Sequence, residues 1–226
     1  MNIKWYLLIT GVVLVLLYFG IKPVFENDYE TTLSSDVQSE ITPPTSTKKL
    51  TNLSSTMSNG QPSMVIDQNK NYAVVLKTDA GNIKIALNAK GTPITANNFY
   101  YLAQNNFYNG TIFHRAIKGF MIQGGDPNGN GTGGPGYKFD DEPFVGEYVR
   151  GAVAMANSGP NTNGSQFFIM HTDYPLPKNY VIFGRVVEGM DVVDAIATAP
   201  VEKNAMGELS KPVSPVKISS VETLEL

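Results

Sequence analysis

Two stretches decide how this chain is read: FHRAIKGFMIQGGD at residues 113–126 and MANSGPNTNGSQFFIMH at residues 155–171. In the first, strand alternation puts Phe113, Arg115 and Ile117 on one face, which leaves an arginine among apolar neighbours. In the second, the polar Asn157, Asn163 and Gln166 lie between Met155 and the pair Phe167 and Phe168. A surface built from Arg, Gln and Asn donors beside Phe and Met suits a ligand that carries apolar rings and peptide carbonyls. A core arginine paired with a carboxylate, or a plain sheet edge, fits the same residues.

Upstream of these stretches Tyr72, Val74 and Leu76 alternate, and Asp79, Ala80, Gly81 and Asn82 supply turn chemistry. Ile83, Ile85 and Leu87 then alternate again, which predicts an antiparallel hairpin. A helix follows: Thr92 can cap it, Pro93 suits its first position, Ile94, Phe99 and Leu102 lie near one face, and Asn105 and Asn106 end it. Short apolar runs recur at residues 111–117, 120–123, 149–156, 166–170 and 181–187, separated by Gly, Pro and Asn clusters. That spacing predicts a mainly β, mostly antiparallel structure. A second helix is expected over residues 190–197 with Val193 and Ile196 inward, and a last strand near residues 216–221.

The N-terminal part has a different character. WYLLITGVVLVLLYFGI, residues 5–21, carries no charge, is bounded by Lys4 and Lys22, and has aromatic residues near both ends. As a helix it matches the thickness of a hydrocarbon core, so residues 1–22 are expected to be an uncleaved transmembrane anchor. The run exceeds the apolar region of a signal peptide, and no small-residue cleavage site follows it. Lys4 precedes the span while Glu26, Asp28 and Glu30 follow it. The positive-inside rule then places the N-terminus in the cytoplasm and the rest on the extracellular or periplasmic side of the cell membrane. Residues 23–70, rich in Ser, Thr, Asn, Pro and Gln, read as a disordered tether with a root-mean-square reach on the order of 40 Å. Residues 71–226 form the folded domain.

Composition excludes several kinds of chemistry. The 226 residues hold 17 Lys+Arg against 20 Asp+Glu and no cysteine. The slightly acidic balance comes with no local basic cluster, so no nucleic-acid partner is expected. Without cysteine there is no disulfide, thiolate nucleophile or Cys-bound metal, and with only His114 and His171 a zinc site is poorly supplied. The run GNGTGG at residues 129–134 formally matches a phosphate-binding pattern, but Pro135 and Gly136 follow where a helix should begin. No nucleophile-elbow GxSxG occurs. Asp140, Asp141 and Glu142 are expected to form a solvated turn rather than a cation site.

At the two deciding stretches the sequence resembles the cyclophilins, the peptidyl-prolyl cis-trans isomerases, and the resemblance runs from about residue 71 to the C-terminus. It implies an eight-stranded antiparallel β-barrel capped by two α-helices, with a proline pocket on the outer barrel surface. Carried over position by position, the catalytic group is Arg115, joined by Gln123 and Asn157. The substrate-binding residues fall on Phe120, Met121, Ala156, Ser158, Gln166, Phe168, Leu176 and Tyr180. The glycines at 129–134 match a loop beside the pocket. Ser158 stands where many members have alanine and Tyr180 where many have histidine; a frequent pocket tryptophan falls near Tyr174 and Pro175, and no residue takes its role. The loop at residues 105–110 looks like the bacterial type.

The resemblance implies rotation about X-Pro bonds in polypeptides, in aid of protein folding, with no metal, cofactor or covalent intermediate; the expected anchor places that activity outside the membrane. A non-catalytic module or chaperone that captures Pro-containing segments in the same pocket is the alternative. The oligomeric state and the clients are not legible.

Overall fold

The computed structural model describes residues 57–58 and 61–226. The expected span at residues 5–21 and most of the expected tether lie outside the described residues; among those described, no helix is long and apolar enough to cross a membrane.

A short antiparallel pair, β1 (Met57–Ser58) and β2 (Gln61–Pro62), precedes the main fold. The predicted hairpin forms as β3 (Tyr72–Thr78) and β4 (Gly81–Leu87), and Val74, Leu76, Ile83 and Ile85 are all fully buried. Helix α1 (Pro93–Gln104) follows, then the strands β5 (Arg115–Ile117), β6 (Met121–Gly124), β7 (Ala152–Met155), β8 (Phe167–Met170) and β9 (Ile182–Glu188). Helix α2 (Met190–Thr198) buries Val193 and Ile196 as expected. The pair β10 (Val201–Lys203) and β11 (Leu209–Pro212), absent from the sequence reading, forms its own two-stranded sheet, and β12 (Ile218–Glu225) ends the chain.

Eight of these strands make one antiparallel sheet in the order β12-β3-β4-β9-β7-β8-β6-β5. The expected barrel is a curled sheet whose two edges are tied at a seam rather than by a full ladder. Ile112 bridges both Asp126 and Lys217, Phe113 N–H donates to the Val216 carbonyl at 3.0 Å, and Ile218 N–H donates to the Thr111 carbonyl at 2.8 Å. Inside the curl Phe99 of α1 packs its ring against Tyr108, Phe167 and Phe183, with centroids 5.0, 5.2 and 4.9 Å away. Burying side chains of this size contributes about 1.5–3 kcal/mol each.

Four local expectations are corrected. Phe113 does not share a face with Arg115: the ladder lapses at Phe113 and His114, and Phe113 turns into the interior while Arg115 and Ile117 face outward. Ile94 is 46% exposed, because α1 turns Thr95, Ala96, Phe99 and Leu102 inward instead. Thr92 sits at the N-cap but makes no capping bond; its hydroxyl is directed to the Asn88 and Ile182 carbonyls. The cap comes from the supposed solvated turn. Glu142 is buried and accepts Ile94 N–H at 3.2 Å and Thr95 N–H at 2.6 Å, placing a carboxylate at the positive end of the helix. Asp141 meanwhile accepts from Asn161 N–H and from the Asn163 side chain.

Contacts with the fold begin before residue 71. The Asn97 side chain of α1 donates to the Ser63 carbonyl and accepts Val65 N–H at 2.7 Å, and Ile66 is buried. Gly189 opens α2 with a left-handed backbone at φ 89°. A side chain there would run into the Asn82 carbonyl, which is why glycine is required.

Candidate active site

The register of the sheet sets out the site. Arg115 lies opposite Gln123, Gln123 opposite Phe168, and Phe168 opposite Ala154, so four adjacent strands bring these residues to one level on the outer face. The inner face carries the main core, and the outer face carries a second apolar cluster. Met121, Tyr148, Ala154, Phe168, Met170 and Ile182 form its floor, with Phe120, Ala156, Leu176 and Tyr180 packed against it, partly exposed. Of the expected substrate-binding residues, Phe120, Met121, Ala156, Phe168, Leu176 and Tyr180 therefore meet in one basin.

The polar residues form a chain of hydrogen bonds along the side of that basin. Arg115 Nη1 donates to Gln123 Oε1 at 3.3 Å and lies 3.9 Å from the Met121 sulfur. Gln123 Nε2 donates to Gln166 Oε1 at 3.0 Å, and Gln166 Nε2 donates to the carbonyls of Gly131 and Gly133. Because each link donates in the same direction, both glutamine amides have their orientation set by the network. The glycine run at 129–134 is thus a loop gathered onto Gln166, and Asp126 holds it from below by accepting the N–H groups of Asn128, Asn130 and Gly131. Burial alone would raise the Asp126 carboxyl, but those three donors bring it below its ordinary value.

A cavity of about 780 Å³ opens beside the basin, lined by Gln123, Gln166, Ala156, Asn157 and Ser158 among others. The Asn157 side chain braces this wall by donating to the Asn179 carbonyl at 2.8 Å and accepting Gly159 N–H. Ser158 is exposed, and its N–H donates to Thr162 Oγ1.

Three supporting residues escaped the sequence reading. Glu208, from the turn of the β10–β11 hairpin, accepts Arg115 Nε at 2.7 Å and Nη2 at 2.8 Å. The guanidinium holds this carboxyl at about 2, far below its ordinary 4.5. Tyr148, buried in the basin floor, bonds the backbone of Tyr180. His171 steadies the turn that presents Phe120: Gly119 N–H donates to its Nδ1 at 3.0 Å, and its own N–H donates to the Phe120 carbonyl at 2.9 Å. Tyr174, to which no role was given, lays its ring 4.7 Å from that of Phe120. Among the described residues, no group of three or more His, Cys, Asp or Glu side chains is arranged to hold a metal ion.

A curled antiparallel sheet bearing an Arg-Gln-Gln network beside an aromatic basin on its outer face defines a peptide-binding isomerase of the cyclophilin type. The family model described as "Cyclophilin type peptidyl-prolyl cis-trans isomerase/CLD" matches residues 73–223, and the chain belongs to that family. It is 46% identical over 155 residues to a chicken (Gallus gallus) protein named peptidyl-prolyl cis-trans isomerase-like 3, covering 66% of this chain and 94% of the relative. It is 43% identical over 175 residues to the probable peptidyl-prolyl cis-trans isomerase A of Mycobacterium leprae, covering 67% and 92%. The short loop at 105–110 therefore does not single out a bacterial type. A crystal structure of a Cryptosporidium parvum cyclophilin type peptidyl-prolyl cis-trans isomerase superimposes with a TM-score of 0.63 at 37% identity, covering 68% of this chain and 98% of that one. A second structure from the same organism, determined in the presence of the dipeptide Ala-Pro, gives 0.61 at 38% identity, covering 66% and 96%.

Proposed function

We propose that the protein rotates X-Pro bonds of polypeptides lying outside a membrane to which its N-terminal segment anchors it, with Arg115 acting on the twisted amide. The observation that carries the reading is the contact of the Arg115 guanidinium with Met121 in the floor of the aromatic basin, while Gln123 holds it from the side. The uncatalysed rotation faces a barrier of about 18–20 kcal/mol, because amide resonance is lost at the perpendicular geometry and the nitrogen lone pair localises. No bond breaks. An N–H of the guanidinium donates to that lone pair as it forms, while the proline ring rests against Phe120, Met121, Phe168, Leu176 and Tyr180. Gln123 and the Asn157 backbone anchor the flanking carbonyls, and Ala156, Ser158 and Gln166 border the preceding residues. Such donors stabilise the twisted state more than either planar isomer, which is the condition for catalysis. Turnover near 10³ per second against an uncatalysed rate near 10⁻² per second asks the site for about 7 kcal/mol. One charge-assisted contact does not supply all of that, so ring burial and carbonyl anchoring share it.

The charge arrangement around residues 5–21 supports the membrane part of the reading. The test of the site is Arg115→Ala in the full chain: kcat/KM for a Pro peptide should fall on the order of a hundredfold, about 3 kcal/mol, while peptide affinity changes far less. Arg115→Lys should be impaired as well, since an ammonium keeps the charge without the planar fork. Wild-type turnover in a stable Arg115→Ala variant would remove Arg115 from the mechanism, and a wild-type chain that binds a Pro peptide without turning it over would leave the binding-module reading in place of this one.

A further inference from the structure

The Arg115 guanidinium has five N–H donors in a rigid plane, and its position matters only if that plane is held. Two of the five, on Nε and Nη2, are taken by the two oxygens of Glu208 in a side-by-side pair, and one on Nη1 is taken by Gln123. The Nε/Nη2 edge is therefore tied to the β10–β11 hairpin, which turns the Nη1 end toward Gln123 and the Met121 sulfur in the basin. Glu208 is itself held. Its N–H donates to Asn204 Oδ1 at 3.0 Å, Asn204 N–H donates to its carbonyl at 2.8 Å, and Asn204 Nδ2 approaches Oε2 at 3.4 Å. A hairpin outside the main sheet, with Gly207 in the left-handed region, is thus shaped to present one carboxylate to one arginine.

Two effects of such a pair oppose each other. A carboxylate at hydrogen-bond distance damps the positive field that Arg115 offers a developing lone pair. A two-point contact also fixes rotation about the last bonds of a flexible side chain, so its donors point one way before substrate arrives. We propose that the second effect dominates and that Glu208 is the positioning residue for Arg115 in the isomerase reaction. This rests on Arg115 being the catalytic group, and it gives the β10–β11 hairpin a part in the reaction.

The test uses the full chain with Glu208→Gln, which keeps size and hydrogen-bonding capacity but loses the two-oxygen anionic acceptor. The expected result is a fall in kcat of about tenfold, the lower end of what removing an orienting partner does to a functional group, with KM little changed and the loss measured per folded molecule. In an Arg115→Lys background the same substitution should have almost no further effect, since an ammonium has no fork to orient. The ¹⁵Nε–H signal of Arg115 should be slow to exchange in the wild type and broadened or lost in Glu208→Gln. An unchanged or raised kcat overturns the proposal, as does a loss of equal size in the Arg115→Lys background or an unaltered Arg115 signal. If Arg115→Ala abolishes turnover while Glu208→Gln does not alter it, only the positioning role fails. If Arg115→Ala leaves turnover intact, the reading beneath it fails too.

Discussion

The hydroxyl of Tyr148 is bonded twice to the backbone of Tyr180: it donates to the Tyr180 carbonyl at 2.8 Å and accepts the Tyr180 N–H at 3.0 Å. The Tyr180 ring meets Phe168 edge-on, with centroids 5.5 Å apart, so a bond beneath the basin determines where one of its walls stands. Tyr148→Phe removes the hydroxyl and leaves two backbone groups without it. The expected loss of stability is about 1–3 kcal/mol by urea unfolding. Steady-state kinetics should show KM for a Pro peptide rising while kcat changes little; the reverse pattern would mean that Tyr180 lies outside the binding site.

Glu142→Ala strips α1 of the carboxylate that accepts Ile94 and Thr95 N–H. Its effect should resemble loss of an N-cap, about 1–2 kcal/mol in equilibrium unfolding. Glu142→Gln keeps an acceptor but not the charge facing the helix dipole, and should lose less. Turnover per folded molecule should stay at the wild-type level in both.

The Arg115–Glu208 pair gives stability a dependence on acid. The Arg115 guanidinium brings the Glu208 carboxyl to about 2 in the folded chain, against an ordinary 4.5. The unfolded chain therefore takes up this proton first as pH falls. The stabilisation is complete above the ordinary value and disappears as pH drops toward the folded one. Thermal melts of the wild type and Glu208→Gln should differ most near neutral pH and converge between about pH 4.5 and about pH 2. A gap that persists at the acid end would show that the carboxylate charge is not its source.

The full chain should partition with membranes, and protease added outside intact cells or spheroplasts should release the isomerase domain. Residues 5–21 and the acidic residues after them are the grounds for this. A soluble mature form beginning after residue 20 would remove the anchor, and protection from external protease would reverse the orientation.

What the sequence disclosed was local, and what it withheld depended on residues far apart in the chain. The β3–β4 hairpin and the ends of α1 were legible because alternation, Pro93 and the two asparagines act within a few positions of one another. Glu142 was misread because its partners lie 47 and 48 residues away, and three adjacent acids look solvated until a helix end is brought to them. Phe113 was misplaced because alternation presumes an unbroken ladder, and this one lapses where the chain crosses the seam. The β10–β11 hairpin, VEKNAMGELSKP, has too little apolar alternation to announce itself. At Arg115 the sequence offered a ligand-facing arginine and a carboxylate-paired one as alternatives. The structure shows the carboxylate pair, with the Nε edge on Glu208, and puts the Nη1 end against Gln123 and Met121 beside the basin, a placement that the sequence alternatives did not foresee in one side chain.

The seam at Ile112 also bears on the order in which the molecule assembles. Its partners Asp126 and Lys217 differ greatly in separation along the chain, one a short turn away and the other near the end of the chain. The nearer bridge extends a hairpin and closes cheaply in entropy, whereas the farther one requires nearly the whole domain to be gathered first. Pairing of β12 with β3 lowers that cost, because it brings Lys217 to the edge of the sheet beside Ile112. In synthesis from the N-terminus, the sheet stays unjoined along this seam until residues 216–218 have emerged, because Thr111, Ile112 and Phe113 find their seam partners there.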